Sequence, residues 1–270
     1  YVPFIGERDV AGVLRAVPQA AKLLRRHRID RVVSTGSAIA LAYLPTAAAI
    51  GLETHYIESS TRVTSCSVTG RLLARTRGVR CWWQYEPAPN GFTSLPGVYA
   101  RYRSEPATDP VLIGGGTTAE PPLDRVVVTV GTTDRCFRRL ITRLVEILPA
   151  DAQVLWQTGH SRVDDLPIDA RRLVPEDELV AAVAEADVVV SHAGAGSLAL
   201  ALAAGTCPVF VPRRAAAGEQ IDDHQVELAD WAADRDLAVV AEADRVELSD
   251  LRRAAARRIV AEPTEELVLT

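Results

Sequence analysis

The chain has 270 residues, which is enough for one large domain or two of ordinary size. Hydrophobic residues make up 48% and charged residues 24%, a balance typical of a well-packed globular protein and not of a disordered one. No stretch approaches the roughly 18 uncharged apolar residues needed to span a bilayer, and the opening YVPFIGERDV does not resemble a signal peptide. The four cysteines lie far apart and form no CxxC motif, which argues against a zinc site or a disulfide framework.

The formal net charge of −5 is distributed unevenly along the chain. Residues 1–90 carry a net charge of +6 and residues 91–270 carry −11. A basic lobe on an acidic protein is typical of a surface that meets an anionic partner, although solvated arginines produce the same pattern. We expect no nucleic-acid partner.

The first ninety residues alternate between helix and strand patterns. The segment 10–28 places apolar residues at helical spacing and basic residues on its other faces. A strand RVVS, a helix that runs to about Ile50, a strand ETHYIES, a helix SVTGRLLART and a strand VRCWWQYE follow in that order. This alternation predicts a parallel sheet with helices on both faces.

Between Pro87 and Pro122 the alternation stops. This segment is rich in proline and glycine, and only VLI within it resembles a strand. We interpret residues 87–123 as a linker between an N-terminal lobe, residues 1–86, and a C-terminal lobe, residues 124–270.

The C-terminal lobe repeats the alternation more regularly. Its strand patterns are RVVVTV, QVLWQTG, DVVVSH, PVFVP and LAVVA. Its predicted helices run from Asp134 to about Leu148 and over DELVAAVAEA, GAGSLALALAAG, DDHQVELADWAAD and the closing VELSDLRRAAARRIVAE. The sequence therefore predicts an α/β protein of two doubly wound lobes with a cleft between them, onto which the carboxyl ends of the strands open.

Two strand-to-helix joints in the C-terminal lobe have the composition of anion-binding loops. VTVGTTDR supplies Gly131, two threonine hydroxyls and Asp134, which we expect to cap the following helix. SHAGAGS supplies Gly194 and Gly196 for close approach of the backbone, and Ser197 as a further donor. A helix amino terminus also offers N–H groups and a positive dipole end. Each motif alone fits a tight turn that only packs, but two of them in one lobe favour a diphosphate ligand.

Residues 194–199 also fit the G-x-G-x-x-A dinucleotide fingerprint. That fingerprint needs an acidic residue about 20 residues further on to hold a ribose, and this chain has PVFVPRR there. Because Arg213 and Arg214 are suited to a 2′-phosphate, an NADP oxidoreductase remains an alternative.

Two further stretches carry candidate polar chemistry. PRRAAAGEQIDDHQ is either a solvated loop or a set of groups that bond sugar hydroxyls, which histidine and glutamine can do in several directions. No other histidine or cysteine has a spacing compatible with a metal site, so we expect neither a metal nor a cofactor. Glu58 of YIESS ends a strand of the N-terminal lobe, where a carboxylate is either a polar terminus or a general base.

These motifs, in this order, resemble glycosyltransferase family 28. VTVGTTD, WQTG, VVVSHAGAGS and DHQVELA are similar to its C-terminal, donor-binding domain. VVSTGSAIALAYLPTAAAIGL, YIESSTRVTSCSVTGRLL and WWQYE resemble the membrane-recruiting partner in the two-subunit enzyme that adds the second GlcNAc to dolichyl-diphosphate-GlcNAc. The two parts follow each other as in MurG-like enzymes, and PRRAAAGEQIDDHQ is similar to paired bacterial exopolysaccharide glycosyltransferase subunits. The resemblance covers the chain from about Tyr1 to Val240.

The resemblance implies a GT-B fold whose N-terminal lobe lacks its first strand and glycine-rich loop. It also implies that residues 131–133 and 192–197 hold a diphosphate, that 174–176 border a uracil and that 223–225 bond a sugar. The family's ribose-binding glutamate corresponds to Leu200, and we expect Glu219 to replace it. The predicted catalytic residues are Glu58 and His192. The predicted donor-binding residues are Gly131, Thr132, Thr133, Gln157, Val174, Glu176, His192, Ala193, Gly194, Ala195, Gly196, Ser197, Arg213, Glu219, Asp223, His224 and Gln225.

The function that the resemblance implies is an inverting, metal-independent transfer of a hexose from a UDP-sugar to a polyprenyl-diphosphate-linked sugar. The hexose is GlcNAc, glucose or glucuronate, and the setting is cell-surface or exopolysaccharide synthesis. We expect a cytoplasmic protein, peripheral on the inner face of the plasma membrane through its basic lobe, as a homo-oligomer or with a partner subunit. The alternatives are a UDP-sugar-binding scaffold that is inactive without a partner or N-terminal segment, and a UDP-sugar epimerase of the same fold.

Overall fold

The chain divides into two compact units between Ala100 and Arg101. The computed structural model describes Ile5 and residues 9–107, 112–113, 117–118 and 120–263. The division lies inside the predicted linker 87–123, and the predicted lobe boundaries stay a prediction. Among the described residues, no helix combines the length and the apolar character needed to cross a membrane.

The first unit is built on a sheet of four parallel strands in the order β1-β2-β3-β4. Its strands are β1 Arg31–Ser34, β2 Glu53–Ile57, β3 Arg80–Trp83 and β4 Thr93–Ser94, and its helices are α1 Val10–Arg26, α2 Ala40–Ala49 and α3 Val68–Leu73. The core lies where α2 and α3 pack on the sheet, around Leu44, Tyr56 and Leu73. Helix α1 packs on α2 through Ala16 and Ala42.

The second unit is built on six parallel strands in the order β10-β9-β8-β11-β12-β13. The central strands are almost wholly apolar and buried, as expected for a parallel sheet covered on both faces. The strands of this unit are β5 Tyr102–Pro106, β6 Leu112–Ile113, β7 Thr117–Thr118, β8 Arg125–Thr129, β9 Gln153–Gln157, β10 Ala170–Arg171, β11 Val188–His192, β12 Val209–Val211, β13 Val239–Val240 and β14 Arg257–Ala261. The helices are α4 Arg138–Ile147, α5 Glu176–Glu185, α6 Ala195–Ala203, α7 His224–Ala233 and α8 Leu248–Ala255.

The predicted alternation of helices and strands is confirmed in both units, but the end of the chain was predicted wrongly. Helix α8 ends at Ala255, and β14 pairs antiparallel with β5, which lies inside the predicted linker. Ile259 of β14 is buried. Since a distant strand satisfies the backbone of residues 257–261, tertiary pairing overrides their helical pattern. Of the predicted VLI strand, Leu112 and Ile113 form β6, and Val111 lies outside the described residues.

The start of α4 was also predicted too early. The helix begins at Arg138 with Phe137 as its N-cap residue, so Asp134 is not the cap. The N–H of Phe137 donates to Ser161 Oγ at 2.9 Å, a bond that sets where the helix begins. The segment 130–137, which we call the Gly131 loop, therefore separates β8 from α4 by more residues than the sequence predicted.

Candidate functional site

The strand order of the second unit reverses between β8 and β11. Strand β8 is the first of the sheet in sequence; β9 and β10 lie on one side of it, and β11, β12 and β13 on the other. Ligands of open α/β sheets bind outside the carboxyl ends of the strands at such a switch point. Here those ends are Thr129 and His192, so the switch point is flanked by the Gly131 loop and by the loop that leads into α6. The fold thus brings the two predicted anion-binding motifs together.

The ring of His192 lies against both glycine motifs. A β-carbon on Gly131 would lie 2.6 Å from His192 Cε1, and one on Gly194 would lie within 3.0 Å of His192 Nε2. Gly131 also has a φ of +77°, which residues with a side chain rarely adopt. Only glycine at these two positions lets the two loops approach the buried imidazole this closely.

The environment keeps His192 neutral near pH 7. Burial and, to a lesser extent, the positive charge of Arg213 lower its pKa to about 4, against a hydrogen bond with the backbone of Thr129. Ser197 Oγ lies 3.3 Å from Nδ1 of the ring. A neutral imidazole in this place can donate one hydrogen bond and accept one, but it carries no charge for a phosphate.

The amino terminus of α6 lies at the switch point. The N–H of Ala193 donates to Val211 O at 3.2 Å and that of Gly194 to His192 O at 2.8 Å, so neither is available to a ligand. Gly196 and Ser197 lie in the first helical turn, whose N–H groups have no acceptor within the helix. A β-carbon on Gly196 would meet no atom within 4 Å, so the space beside it is open.

Arg213 holds the Gly131 loop through hydrogen bonds to two of its main-chain carbonyls. This side chain is buried, and its guanidinium donates to Val130 O at 2.6 Å and to Arg135 O at 2.7 Å. It also lies over the ring of Phe137 at 5.0 Å. Thr132 and Thr133 between these contacts are exposed at the surface of the loop. Arg213 therefore supports the loop from its inner side.

Gln157 and Val174 connect neighbouring segments of the same edge. Gln157 is buried; its Nε2 donates to Thr129 Oγ1 at 2.8 Å, and its Oε1 accepts from Val174 N at 2.9 Å. Both ends of this amide are thus bonded within the protein. Val174 is buried as well, whereas Glu176 is exposed in the first turn of α5.

The carboxylate of Glu219, predicted to replace the ribose-binding glutamate, is bonded inside the protein. It accepts from Arg139 Nε at 3.2 Å, from Arg139 Nη2 at 3.1 Å and from Arg214 N at 3.0 Å, and it is buried. These bonds leave it unsuited to a ribose. Leu200, the position that Glu219 was expected to replace, packs against the apolar cluster around Val183.

The residues around the start of α7 differ in their exposure to solvent. Gln225 is buried and accepts from Arg213 N at 3.0 Å. Asp223 is exposed and accepts from Ala215 N at 3.0 Å. His224 is half-buried and bonds through Nδ1 to Asp222. Asp223 and His224 thus have surfaces open to a ligand, and Gln225 holds the end of β12.

Two side chains at this edge, His160 and Arg172, were not predicted from the sequence. His160 Nδ1 lies 2.9 Å from Thr133 O, and its Nε2 bonds to Arg172. Because Nε2 meets a guanidinium, which only donates, Nδ1 carries the proton given to Thr133 O. His160 follows the glycine of WQTG at the carboxyl end of β9. A polar residue at that position of the sequence could have been predicted as a site residue. Within the described residues, no group of three or more metal-ligating side chains is arranged to hold an ion.

In the first unit, Glu58 lies directly after β2 as predicted but is fully buried. One carboxylate oxygen accepts from Tyr56 Oη and Ser59 N, both at 2.9 Å. The other accepts from Ser67 N at 3.0 Å and Ser67 Oγ at 2.9 Å. With four donors on its two oxygens, the side chain holds the amino terminus of α3 against β2 and has little capacity left to accept a proton from a substrate.

Comparison with known proteins shows what the chain is similar to. Residues 125–250 match the model of the "Glycosyltransferase family 28 C-terminal domain". A protein of Ralstonia nicotianae is 27% identical over 247 residues, which are 84% of this chain and 63% of that protein. One of Halorhodospira halophila is 28% identical over 267 residues, which are 92% of this chain and 68% of that protein. Both are named "UDP-N-acetylglucosamine--N-acetylmuramyl-(pentapeptide) pyrophosphoryl-undecaprenol N-acetylglucosamine transferase".

Residues 125–250 thus match the C-terminal domain of glycosyltransferase family 28, and the chain is similar to two transferases at 27% and 28% identity. It spans about 63% of the length of the Ralstonia relative. Among solved structures, MurG of Acinetobacter baumannii aligns with a TM-score of 0.58 at 20% identity, covering 93% of this chain and 73% of that one. The glycosyltransferase of kitacinnamycin aligns with a TM-score of 0.59 at 16% identity, covering 94% and 75%. These likenesses confirm the predicted α/β fold of the GT-B class.

Proposed function

We propose that this chain transfers a sugar from a UDP-sugar donor to a lipid-linked acceptor. One observation carries the proposal: at the switch point of the second unit, the Gly131 loop and the amino terminus of α6 come together around the neutral ring of His192. This arrangement suits the diphosphate of a nucleotide-sugar. The names of the relatives support GlcNAc as the sugar and an undecaprenyl-diphosphate-linked acceptor. Glucose and glucuronate are the other donors to be tested.

The proposed chemistry is an inverting displacement without a metal. An acceptor hydroxyl oxygen attacks the anomeric carbon from the face opposite the phosphate. The bond between that carbon and the phosphate oxygen breaks, its electron pair leaves with UDP, and the hydroxyl proton passes to solvent water. The amides of the first α6 turn and the helix dipole stabilise the charge that develops on UDP.

Most of the predicted site residues fall into two groups under this proposal. The side chains and amides that face open space are the proposed ligand contacts, and those bonded inside the protein position the loops. The proposed contacts are Thr132, Thr133, Glu176, Gly196, Ser197, Asp223 and His224. The proposed positioning residues are Gly131, Gln157, Val174, Gly194, Arg213, Glu219 and Gln225. Ala195 is the first residue of α6 and His192 serves as a neutral hydrogen-bonding group.

Helix α1 supports a membrane-surface location for the first unit. Val10 and Leu14 are exposed at 70% and 66%, on a helix that also carries Arg15, Lys22 and Arg25. An apolar stripe beside basic side chains suits an anionic bilayer surface. We therefore propose a peripheral protein on the inner face of the plasma membrane, with a homo-oligomer or partner subunit as further states to be measured.

The test is a calorimetric titration with UDP and then with UDP-GlcNAc, UDP-glucose and UDP-glucuronate, with and without a divalent metal. We expect metal-independent binding with one sugar preferred. Turnover with a polyprenyl-diphosphate-linked sugar, followed by NMR of the anomeric proton, then tests transfer and inversion. Absence of UDP binding would overturn the proposal.

A UDP-sugar-binding unit without turnover is the second candidate. The observation that favours it is the state of Glu58, whose carboxylate is already occupied by four donors in the first unit. Donor binding without any product, with every acceptor offered, would support this candidate over the transferase.

A further inference from the structure

Arg213 is a cation buried at the base of the switch point. Its side chain is 1% exposed and follows directly after β12. The main-chain N–H is held by Gln225, and two guanidinium nitrogens hold Val130 O and Arg135 O, at the two ends of a six-residue stretch of the Gly131 loop. The third nitrogen, Nε, is buried without a hydrogen-bond partner.

Among the described residues, no carboxylate forms an ion pair with this buried charge, although the negative charge of Glu219 acts on it from a longer distance. Within the part of the chain that the structure describes, no carboxylate oxygen lies within 4.0 Å of the Arg213 guanidinium. The neighbouring carboxylate of Glu219 is bonded to Arg139 and to Arg214 N. Burial lowers the pKa of Arg213, but an arginine still carries its charge at neutral pH. Proteins seldom bury a charge without pairing it directly, and the Glu219 carboxylate is shared with Arg139, so the arrangement favours a further anion close to Arg213.

The place of that anion follows from the contacts of the loop. Arg213 bonds the carbonyl of Val130, the residue before Gly131, and Gly131 lies against His192. The positive charge of Arg213 also acts on His192 itself. The guanidinium therefore lies directly behind the backbone that flanks the amino terminus of α6.

We propose that Arg213 is a positioning residue for the diphosphate. It holds the Gly131 loop in its binding shape by bonding two of its carbonyls, and it supplies a buried positive charge for which the bound diphosphate is the counter-ion. The inference rests on the proposed function and deepens it, since it assigns to this arginine the charge compensation that a metal ion would otherwise supply.

Lysine cannot make all the contacts that arginine makes at position 213. A guanidinium presents several N–H donors in a planar fork and can bond two carbonyls at once, whereas an ammonium is a point charge on a flexible stem. Arg213→Lys therefore keeps the charge and loses part of the loop support. Arg213→Gln loses both.

The experiment compares ligands that differ only in phosphate. UDP and uridine are titrated calorimetrically into the wild type, Arg213→Lys, Arg213→Gln and the control Arg235→Gln. Arg235 is a matched control because it also stacks over an aromatic ring, Trp231, and donates to a main-chain carbonyl, but at the exposed end of α7. We expect Arg213→Gln to weaken UDP binding at least about tenfold and uridine binding less than about twofold, with a shallower dependence on salt. Arg213→Lys should lie between wild type and Arg213→Gln, and Arg235→Gln should match the wild type.

A second readout uses inorganic pyrophosphate and the melting temperature, so it does not depend on nucleotide recognition. Pyrophosphate should stabilise the wild type and Arg235→Gln but not Arg213→Gln. If wild-type protein responds to pyrophosphate and not to UDP, the proposed function fails and the role of Arg213 stands. Equal loss of UDP and uridine binding, unchanged UDP binding in both variants, or failure of both variants to fold would overturn the inference.

Discussion

A β-carbon on Gly194 would lie within 3.0 Å of Nε2 of His192, so the glycine and the histidine of the SHAGAGS segment depend on each other. The imidazole lies close to the start of α6 and also close to Gly131. The second glycine of the motif is different, because a β-carbon on Gly196 would meet no atom within 4 Å.

This difference predicts opposite behaviour for two alanine variants. Gly194→Ala displaces the His192 ring and should cost about 2 kcal/mol or more of unfolding free energy, together with UDP binding. Gly196→Ala has room and lies in a helix, so its stability should be unchanged or higher by up to about 1 kcal/mol. If a phosphate approaches the backbone at Gly196, that variant should nevertheless bind UDP more weakly. Denaturant unfolding and UDP titration of both variants measure this, and equal stability of the two would contradict it.

The buried imidazole predicts a dependence of stability on pH. The pKa of His192 is about 4 in the folded protein, below the roughly 6.5 of an unfolded chain. Between these values the unfolded state binds more protons, so the folded state loses stability as the pH falls. From about pH 7 to pH 4.5 the loss from this group should be about 2 kcal/mol.

His192→Gln should remove that part of the pH dependence. His27→Gln, which changes an exposed histidine, should leave it intact. The measurement is denaturant unfolding of the three proteins at both pH values. Parallel pH dependence of wild type and His192→Gln would show that the ring is not held neutral by burial.

The ion pair between Glu219 and Arg139 predicts a stability effect instead of a binding effect. Arg139 also bonds Asp244 at 3.2 Å, but Asp244 is 61% exposed in its side chain and Glu219 only 8%. Glu219→Gln should therefore cost about 1 to 3 kcal/mol, and Asp244→Asn less than about 1 kcal/mol. UDP affinity should stay within about twofold of wild type in both. A large loss of UDP affinity with unchanged unfolding in Glu219→Gln would restore the ribose role that the sequence predicted.

Four donors surround the carboxylate of Glu58, and this predicts a structural penalty for its amide. In Glu58→Gln, the side-chain NH₂ faces donors where an acceptor is required, at a cost of about 2 to 4 kcal/mol. Asp30→Asn, an exposed carboxylate in the same unit, should cost less than about 0.5 kcal/mol. Thermal and denaturant unfolding compare the two. A stable Glu58→Gln protein that binds donor but has lost turnover would return Glu58 to the catalytic residues.

The exposed apolar side chains of α1 predict binding to anionic vesicles. Leu14→Glu places a charge on the helix face that carries Val10 and should reduce sedimentation with phosphatidylglycerol vesicles at least about fivefold. Val180→Glu is the matched control, because Val180 is a 45% exposed valine on α5 of the second unit. Equal vesicle binding by both variants would place the membrane surface elsewhere.

Local patterns in the sequence were sufficient for most of the architecture. The strands VVV at 188–190 and VFV at 209–211 are short continuous apolar runs between helices, and such runs by themselves predicted both as buried strands. The glycines at 131 and 194 were identified in the same way, since a glycine at a strand-to-helix joint is itself a local signal. The local pattern misled at the start of α4 and at residues 257–261, whose partner is β5, more than a hundred residues away.

The tertiary structure alone decided what the polar residues do. The sequence identified Arg213, Glu219 and Glu58 as candidate site residues, and the folded chain gave each a partner inside the protein: Val130, Arg139 and Ser67, respectively. Val130 and Arg213 are 83 residues apart in sequence, and Arg139 and Glu219 are 80 apart. Hydrophobic periodicity follows from the geometry of each element and is written into neighbouring residues. A buried charge or amide takes its partner from whichever distant backbone or side chain the packed sheet brings within hydrogen-bond distance.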